Sequence, residues 1–194
     1  MKYLKQHLKD HIKIGDSIDL KSINEILNLL VILKKKGGRL FILGVGGSAG
    51  NASHAVNDFR KLCNIEAYCP TDNVSEITAR TNDDGWENVF AKWLETSKLS
   101  EKDMLLFFSV GGGSLDRKVS VNLIKAAKYG KIKKSNIASI IGRKQGYLKK
   151  ISNACCVIPT ANKSSITPHT ETYQVFIWHM LVSHPKLQVK KTVW

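Results

Sequence analysis

Acidic residues are scarce in the second half of this chain. From Arg117 to the C-terminus the sole acid is Glu171, and between Arg117 and Lys150 eleven Lys or Arg stand with none. Over all 194 residues, 30 Lys and Arg against 16 Asp and Glu leave a formal charge of +14. Such an excess suits an anionic guest or surface. The basic run carries only Tyr129 and Tyr147 as aromatics, too few for a base-stacking platform, which argues against nucleic acid. Long apolar runs are missing too. No stretch reaches the roughly eighteen apolar residues that a membrane-spanning helix needs, and the charged N-terminus, Met1 to Asp10, lacks a signal-peptide core. Cysteines number four (Cys63, Cys69, Cys155, Cys156), without zinc or C-x-x-C spacing. They read as buried free thiols, and reducing cytoplasm is the simplest compartment. Linkers of low complexity and internal repeats are also absent.

What remains is a chain long enough for one domain with a sizeable core. Residues 3–14 and 20–36 show apolar spacing of three and four, the helical period. Asp19 or Ser22 is placed to cap the second, and Gly37-Gly38 to end it. Strands are expected over 39–43, 66–69, 103–109, 136–141 and 154–158. Helices are expected over 48–63, 74–80, 85–97, 119–129 and 170–183. Strands alternating with helices imply a doubly wound parallel sheet with helices on both faces, an α/β fold preceded by N-terminal helices. The unbroken apolar run Met104–Phe108 fits a strand covered on both sides.

Two of these strands end in unusual turns. Phe41-Ile-Leu runs into Gly44-Val-Gly-Gly-Ser48, and Asp103–Ser109 runs into Val110-Gly-Gly-Gly-Ser114. A glycine turn between a strand and a helix start lets backbone N–H groups approach an anion. The spacing matches neither the dinucleotide fingerprint nor the lysine-bearing P-loop, so a smaller phosphate compound such as a sugar phosphate is expected. A plain strand-to-helix turn is the competing reading of either segment alone. Open parallel sheets bind ligands beyond the carboxyl ends of their strands, and two such turns at that edge converge on one crevice.

Chemistry-bearing side chains lie elsewhere. His54 and Asp58 are four apart, hence on one face of a helix, and suit a divalent ion or a base with its orienter. Equally, such pairs are common on surfaces. Glu171 and His179 are eight apart, about 12 Å of rise on a continuous helix. They cannot share a metal unless Glu171 sits at a frayed helix start or comes from another subunit. His179 is flanked by Ile177, Trp178, Met180 and Leu181, a setting where histidine is usually a core group.

Taken in order, Gly44-Val-Gly-Gly-Ser48, His54-x-x-x-Asp58, Asn82-Asp83, Ser109-Val-Gly-Gly-Gly-Ser114 and the Glu171–His179 interval resemble the sugar isomerase (SIS) domain family. Within it they resemble the sedoheptulose 7-phosphate (phosphoheptose) isomerases, over nearly the whole chain, 1–194. The resemblance implies one SIS domain, with residues 1–36 packing on the α/β core and in a cytoplasmic homotetramer. It implies isomerisation of sedoheptulose 7-phosphate to D-glycero-D-manno-heptose 7-phosphate, feeding lipopolysaccharide or capsule. Carried over, the catalytic residues are Asp58, His179 and Glu171, and the ligands of a divalent metal, zinc, are His54, Asp58, Glu171 and His179. Substrate contacts are Gly46, Gly47, Ser48, Asn82, Asp83, Ser109, Val110, Gly111, Ser114 and Ser120, with Arg117 and Lys118 adding positive charge.

The chain departs from the family at three places. The enolising glutamate is Asp58, one methylene shorter. The glutamine ligand is Glu171, which adds a charge. Residues 111–119 lengthen the second turn before Ser120, read as the last phosphate-binding serine at a helix start. A non-catalytic SIS module that senses sugar phosphates or binds a partner is the alternative. The carboxylate and imidazole at 58 and 179 favour the enzyme.

Overall fold

The structure is a computed structural model, described for residues 1–191. Its centre is a five-stranded, wholly parallel sheet in the order β2-β1-β3-β4-β5. The strands are β1 (Leu40–Leu43), β2 (Ala67–Tyr68), β3 (Met104–Ser109), β4 (Asn136–Ile141) and β5 (Ala154–Val157). The helices are α1 (Lys2–Asp16), α2 (Leu20–Lys36), α3 (Gly47–Cys63), α4 (Val74–Asp84), α5 (Val89–Thr96), α6 (Val121–Ile132), α7 (Tyr147–Ile151) and α8 (Ile166–Val182). Sequential connections wind outward from β1 in one direction and from β3 in the other. The switch therefore falls between β1 and β3, where a doubly wound fold opens its ligand crevice.

Every residue of β1 and β3 is buried, as expected of strands covered on both faces. Alternate strand residues feed two cores. Leu40, Ile42, Met104, Leu106 and Phe108 join residues of α2, α3 and α8, including Ile26, Leu30, Phe59 and Trp178. Phe41, Leu43, Leu105 and Phe107 join Phe90, Trp93 and Leu123 from α5 and α6. The period of two along each strand creates this division.

Element boundaries shift where local chemistry overrides periodicity. Asp19 does cap α2, accepting from the Lys21 N–H at 3.0 Å, and Gly37 ends it in the left-handed region. α8 starts at Ile166 rather than Thr170, because Pro168 lies in the first turn, where its missing N–H costs no helical bond. α6 starts at Val121 rather than Val119, since Val119 instead pairs antiparallel with Ser114. α5 starts at Val89, because Gly85 terminates a longer α4. α7 is one turn long and carries too few residues to show a period. The expected burial of all four thiols holds for Cys63, Cys69 and Cys156; Cys155 is half-buried at the sheet edge. Burial pushes the thiols of Cys63 and Cys155 up to about 11 and 12, so neither ionises near neutrality. Among the described residues no helix is long and apolar enough to cross a membrane.

Candidate active site

The carboxyl ends of β1 and β3 carry the two Gly/Ser turns, adjacent in the sheet. After β1, Gly46 is the N-cap of α3 and Gly47 and Ser48 form its first turn, so their N–H groups belong to the unpaired start of a helix. Ser48 is 1% exposed and its Oγ has no protein partner. A buried hydroxyl without a partner marks a place where something else bonds. A Cβ on Gly47 would lie 2.5 Å from a carboxylate oxygen of Glu171, which therefore rests against this turn.

The turn after β3 is more elaborate. Ser109 Oγ is buried and accepts from the Gly112 N–H at 3.0 Å, drawing the chain back over the strand end. Gly113 has φ +78°, and a side chain there would strike Ile124. The inserted residues fold into a small hairpin. Ser114 and Val119 exchange backbone hydrogen bonds at 2.9 and 3.0 Å, and Ser114 Oγ accepts from the Arg117 N–H at 3.3 Å. Residues 115–119, Arg117 and Lys118 among them, are exposed. Ser120 caps α6 with left-handed backbone (φ +51°) and no side-chain cap bond. Its hydroxyl is thus not spent on its own helix.

The third component comes from α3 and α8, which pack side by side. Asn51 on α3 donates to the Glu171 carbonyl and to Gln174 Oε1, both at 3.0 Å. Near the far ends of the helices, Cys63 Sγ donates to the Val182 carbonyl. Between these ties the helices bring His179 to Asp58: Nε2 to Oδ2 is 3.6 Å, and His54 Nε2 lies 3.9 Å from the same oxygen. Asn57 donates to the other oxygen, Asp58 Oδ1, at 2.9 Å and fixes the carboxylate. Fully buried Trp178 meets the His54 ring at 65° with centroids 4.7 Å apart. Ligand atoms of His54, Asp58 and His179 all lie within 4.8 Å of one another. Two imidazole nitrogens and a carboxylate oxygen on one side, with the other side open, suit a divalent cation that keeps a free position.

Burial holds the His179 imidazole below its usual pKa; Asp58 opposes this and His54 adds to it. His179 is therefore neutral at pH 7, able to accept a proton or ligate a metal. Its surroundings are not those of a core histidine. The ring is 47% exposed and His54 58%, whereas Asp58 is 14% exposed.

Within one chain Glu171 does not reach the other three expected ligands. α8 is continuous from Ile166 to Val182, so Glu171 lies more than two turns before His179 and its carboxylate faces Gly47 instead. Within one chain the group here close enough to hold an ion is His54, Asp58 and His179. Asn82 and Asp83 are exposed on the last turn of α4, and Asn82 Nδ2 donates to Asp83 Oδ1 at 2.8 Å. No hydrogen bond among the described residues ties them to the trio. Sequence reasoning missed Asn51, Asn57 and Gln174. Asn57 beside an acid was a weak signal, and the Asn51–Gln174 bond spans 123 residues without a periodic trace.

The sheet order, its switch between β1 and β3, and a Gly/Ser turn at each of those strands define a doubly wound α/β domain with its ligand crevice at the switch. Comparison agrees. A phosphoheptose isomerase from Neisseria gonorrhoeae has the same fold, with TM-score 0.80, 20% identity, and 93% of this chain and 95% of that one covered. In sequence the chain is similar to curated phosphoheptose isomerases. The Helicobacter pylori (strain ATCC 700392 / 26695) enzyme is 27% identical over 83% of this chain and 81% of its own length. The lincomycin biosynthesis protein LmbN of Streptomyces lincolnensis is 33% identical over 76% of this chain; the chain spans about half (56%) of that relative. No family model matches the chain.

Proposed function

We propose that this protein is a phosphoheptose isomerase, interconverting sedoheptulose 7-phosphate and D-glycero-D-manno-heptose 7-phosphate through an enediol. The observation that carries the reading is the shared oxygen of Asp58 facing two imidazoles, on the helix whose first turn holds the buried, unpartnered Ser48 hydroxyl. Phosphoheptose isomerases similar over most of the chain give the substrate class.

In the reaction the open-chain ketose loses a proton from C1 while its C2 oxygen gains one, giving the enediol. A proton then returns to C2 and the O1 hydroxyl proton leaves, giving the aldose. Asp58 and neutral His179 move these protons, as general acid–base pairs do. The phosphate is held by Ser109, Ser114 and Ser120 with the backbone of Val110 and Gly111, and Arg117 and Lys118 add long-range attraction. Gly46, Gly47 and Ser48 hold the sugar oxygens, with Asn82 and Asp83 at the rim. Glu171, beside Gly47, accepts from a sugar hydroxyl instead of acting at C1. Anchoring the phosphate aligns the reacting carbons and replaces a bimolecular encounter by a positioned one. His54, Asp58 and His179 would hold a divalent metal, zinc, which would supply positive charge to polarise the carbonyl; because a metal-bound group is a poor base, Asp58 and His179 would move protons only when the ion is partly displaced from them.

We also propose a cytoplasmic homotetramer whose heptose product feeds lipopolysaccharide or capsule. Leu4, Leu8 and Ile12 form one stripe on α1 and are 62%, 64% and 58% exposed, more aligned apolar surface than a solitary helix face ordinarily shows. Light scattering on the purified protein is expected to give four copies per particle; a monomer would remove this part of the proposal. The activity is tested by incubating the protein with sedoheptulose 7-phosphate, with and without a chelator, and following the aldose by NMR. Aldose formation that the chelator slows and excess zinc restores supports the whole reading. Absence of aldose with fully metallated protein overturns the activity.

A further inference from the structure

A second histidine cluster lies outside the site just described. His7 and His11, four apart on α1, project toward His169 in the opening turns of α8. Their ring centroids are 4.8 Å (His7–His169), 4.7 Å (His11–His169) and 4.9 Å (His7–His11) apart. The Nε2 atoms of His7 and His11 are 3.3 Å apart, close to the edge of a tetrahedron of nitrogens about 2.0–2.1 Å from a common zinc. One nitrogen from each of the three lies within 4.8 Å of the others.

His169 is the independent observation. It is 2% exposed, and neither ring nitrogen has a hydrogen-bond partner. Buried imidazoles ordinarily bond at one nitrogen at least, and this one instead faces two more imidazoles. The pairing is also poor in charge terms. Burial and the neighbouring rings hold His11 and His169 below their usual pKa, which favours the neutral form that ligates metal. Asp10, buried on the same helix, is held by Gln6 Nε2 at 2.9 Å and lies near enough to His169 and His7 to feel their charge. It is placed as an outer carboxylate for a ligating imidazole.

The location suggests what such an ion does. α1 buries only Asp10 and Ile14. Its other ties to α8 are the hydroxyl of Tyr173 donating to the His11 carbonyl and the stacking of those two rings. A cation bound by two residues of α1 and one of α8 would clamp the N-terminal helix onto the helix that carries Glu171 and His179.

We propose that His7, His11 and His169 form a structural site for a late first-row divalent cation, zinc or nickel, that fastens α1 to the start of α8. Three imidazoles favour these ions over magnesium or calcium. The site is separate from the His54–Asp58–His179 group and does not depend on the isomerase reading.

The test uses the full-length protein, stripped by chelation, dialysed against zinc chloride, and analysed for bound metal. His7→Ala/His11→Ala changes half-buried positions on a helix surface and leaves the core intact. It is expected to bind one zinc per chain fewer than the wild type, whereas His54→Ala/His179→Ala keeps one zinc that the quadruple variant loses. Hydrogen exchange provides a second readout: zinc should slow exchange in α1 at least tenfold in the His54→Ala/His179→Ala protein and not in the quadruple variant. Equal zinc content in wild type and His7→Ala/His11→Ala, or no zinc on His54→Ala/His179→Ala, overturns the proposal.

Discussion

The two edges of the sheet treat their buried polar groups in opposite ways. At the amino ends of β1 and β3, Asp103 is 3% exposed and its carboxylate is saturated. It accepts from the Arg39 N–H, Nε and Nη2 at 2.9, 3.2 and 2.8 Å, and from the Ser100 N–H and Oγ at 2.9 and 3.0 Å. Burial alone would raise its pKa; those bonds from Arg39 and Ser100 overcome this and hold it below the usual value. At the carboxyl ends, Ser48 has no partner, and farther along the helix that starts there the Asp58–histidine distances are 3.6 and 3.9 Å, too long for direct hydrogen bonds. The first edge is complete without a guest. The second is a set of donors, acceptors and charges whose partners are not all in the chain, the mark of a working site rather than of a scaffold.

The contrast is sharpened by breaking each edge. The largest effect is expected at the open one. His179→Ala should abolish isomerisation with an unchanged melting temperature, measured by coupled NMR assay and calorimetry. Asp58→Asn should lower kcat by roughly 10²–10⁴-fold, the usual weight of a general acid–base group; normal turnover would remove Asp58 from the chemistry. At the closed edge the order reverses. Asp103→Ala leaves Arg39 without its carboxylate and should cost about 3 kcal/mol of stability, the lower part of the range for breaking a buried pair. Activity per folded molecule should stay near wild type. The same carboxylate sets an acid limit. Because its folded pKa lies below the unfolded value of 3.8, the unfolded chain binds the extra proton. Its stabilisation is full above that pH and is lost as pH falls through the window beneath it. Urea titrations from pH 5 to 2 should show that slope reduced in Asp103→Asn. The smallest effect is expected from Ser48→Ala, which removes a hydroxyl with no partner in the chain. Stability should change by less than about 0.5 kcal/mol, while KM for the sugar phosphate rises severalfold.

Legibility from sequence followed the range of the underlying force. The sheet and its two turns were readable because strand burial and glycine turns are local patterns: Met104–Phe108 is uniformly apolar, and Gly44–Ser48 carries its own chemistry. Helix starts were misjudged where a single residue decides them. The helix expected from residue 170 starts at Ile166 with Pro168 inside its first turn, and Val119 is spent on Ser114 instead of on α6. For the site, the resemblance singled out His54, Asp58 and His179, and the packing of α3 on α8 unites them. Periodicity alone had argued against His179, whose neighbours Ile177 and Trp178 are buried while its own ring is half-exposed. Glu171 was assigned to the metal by resemblance, on condition of a frayed helix start or a second subunit; α8 is continuous through it, so within one chain it stays apart from the trio. Asn51 and Gln174, which hold the two helices together, were invisible because nothing local records a bond between distant side chains.

The central claim is that Asp58 and His179, where α3 packs on α8, exchange protons with a phosphorylated ketose. It is tested most directly by following sedoheptulose 7-phosphate in deuterium oxide by NMR with wild-type protein and with His179→Ala. The account predicts deuterium entering the sugar carbons next to the carbonyl, together with aldose, for the wild type, and neither for the variant. Equal exchange in both proteins would contradict it.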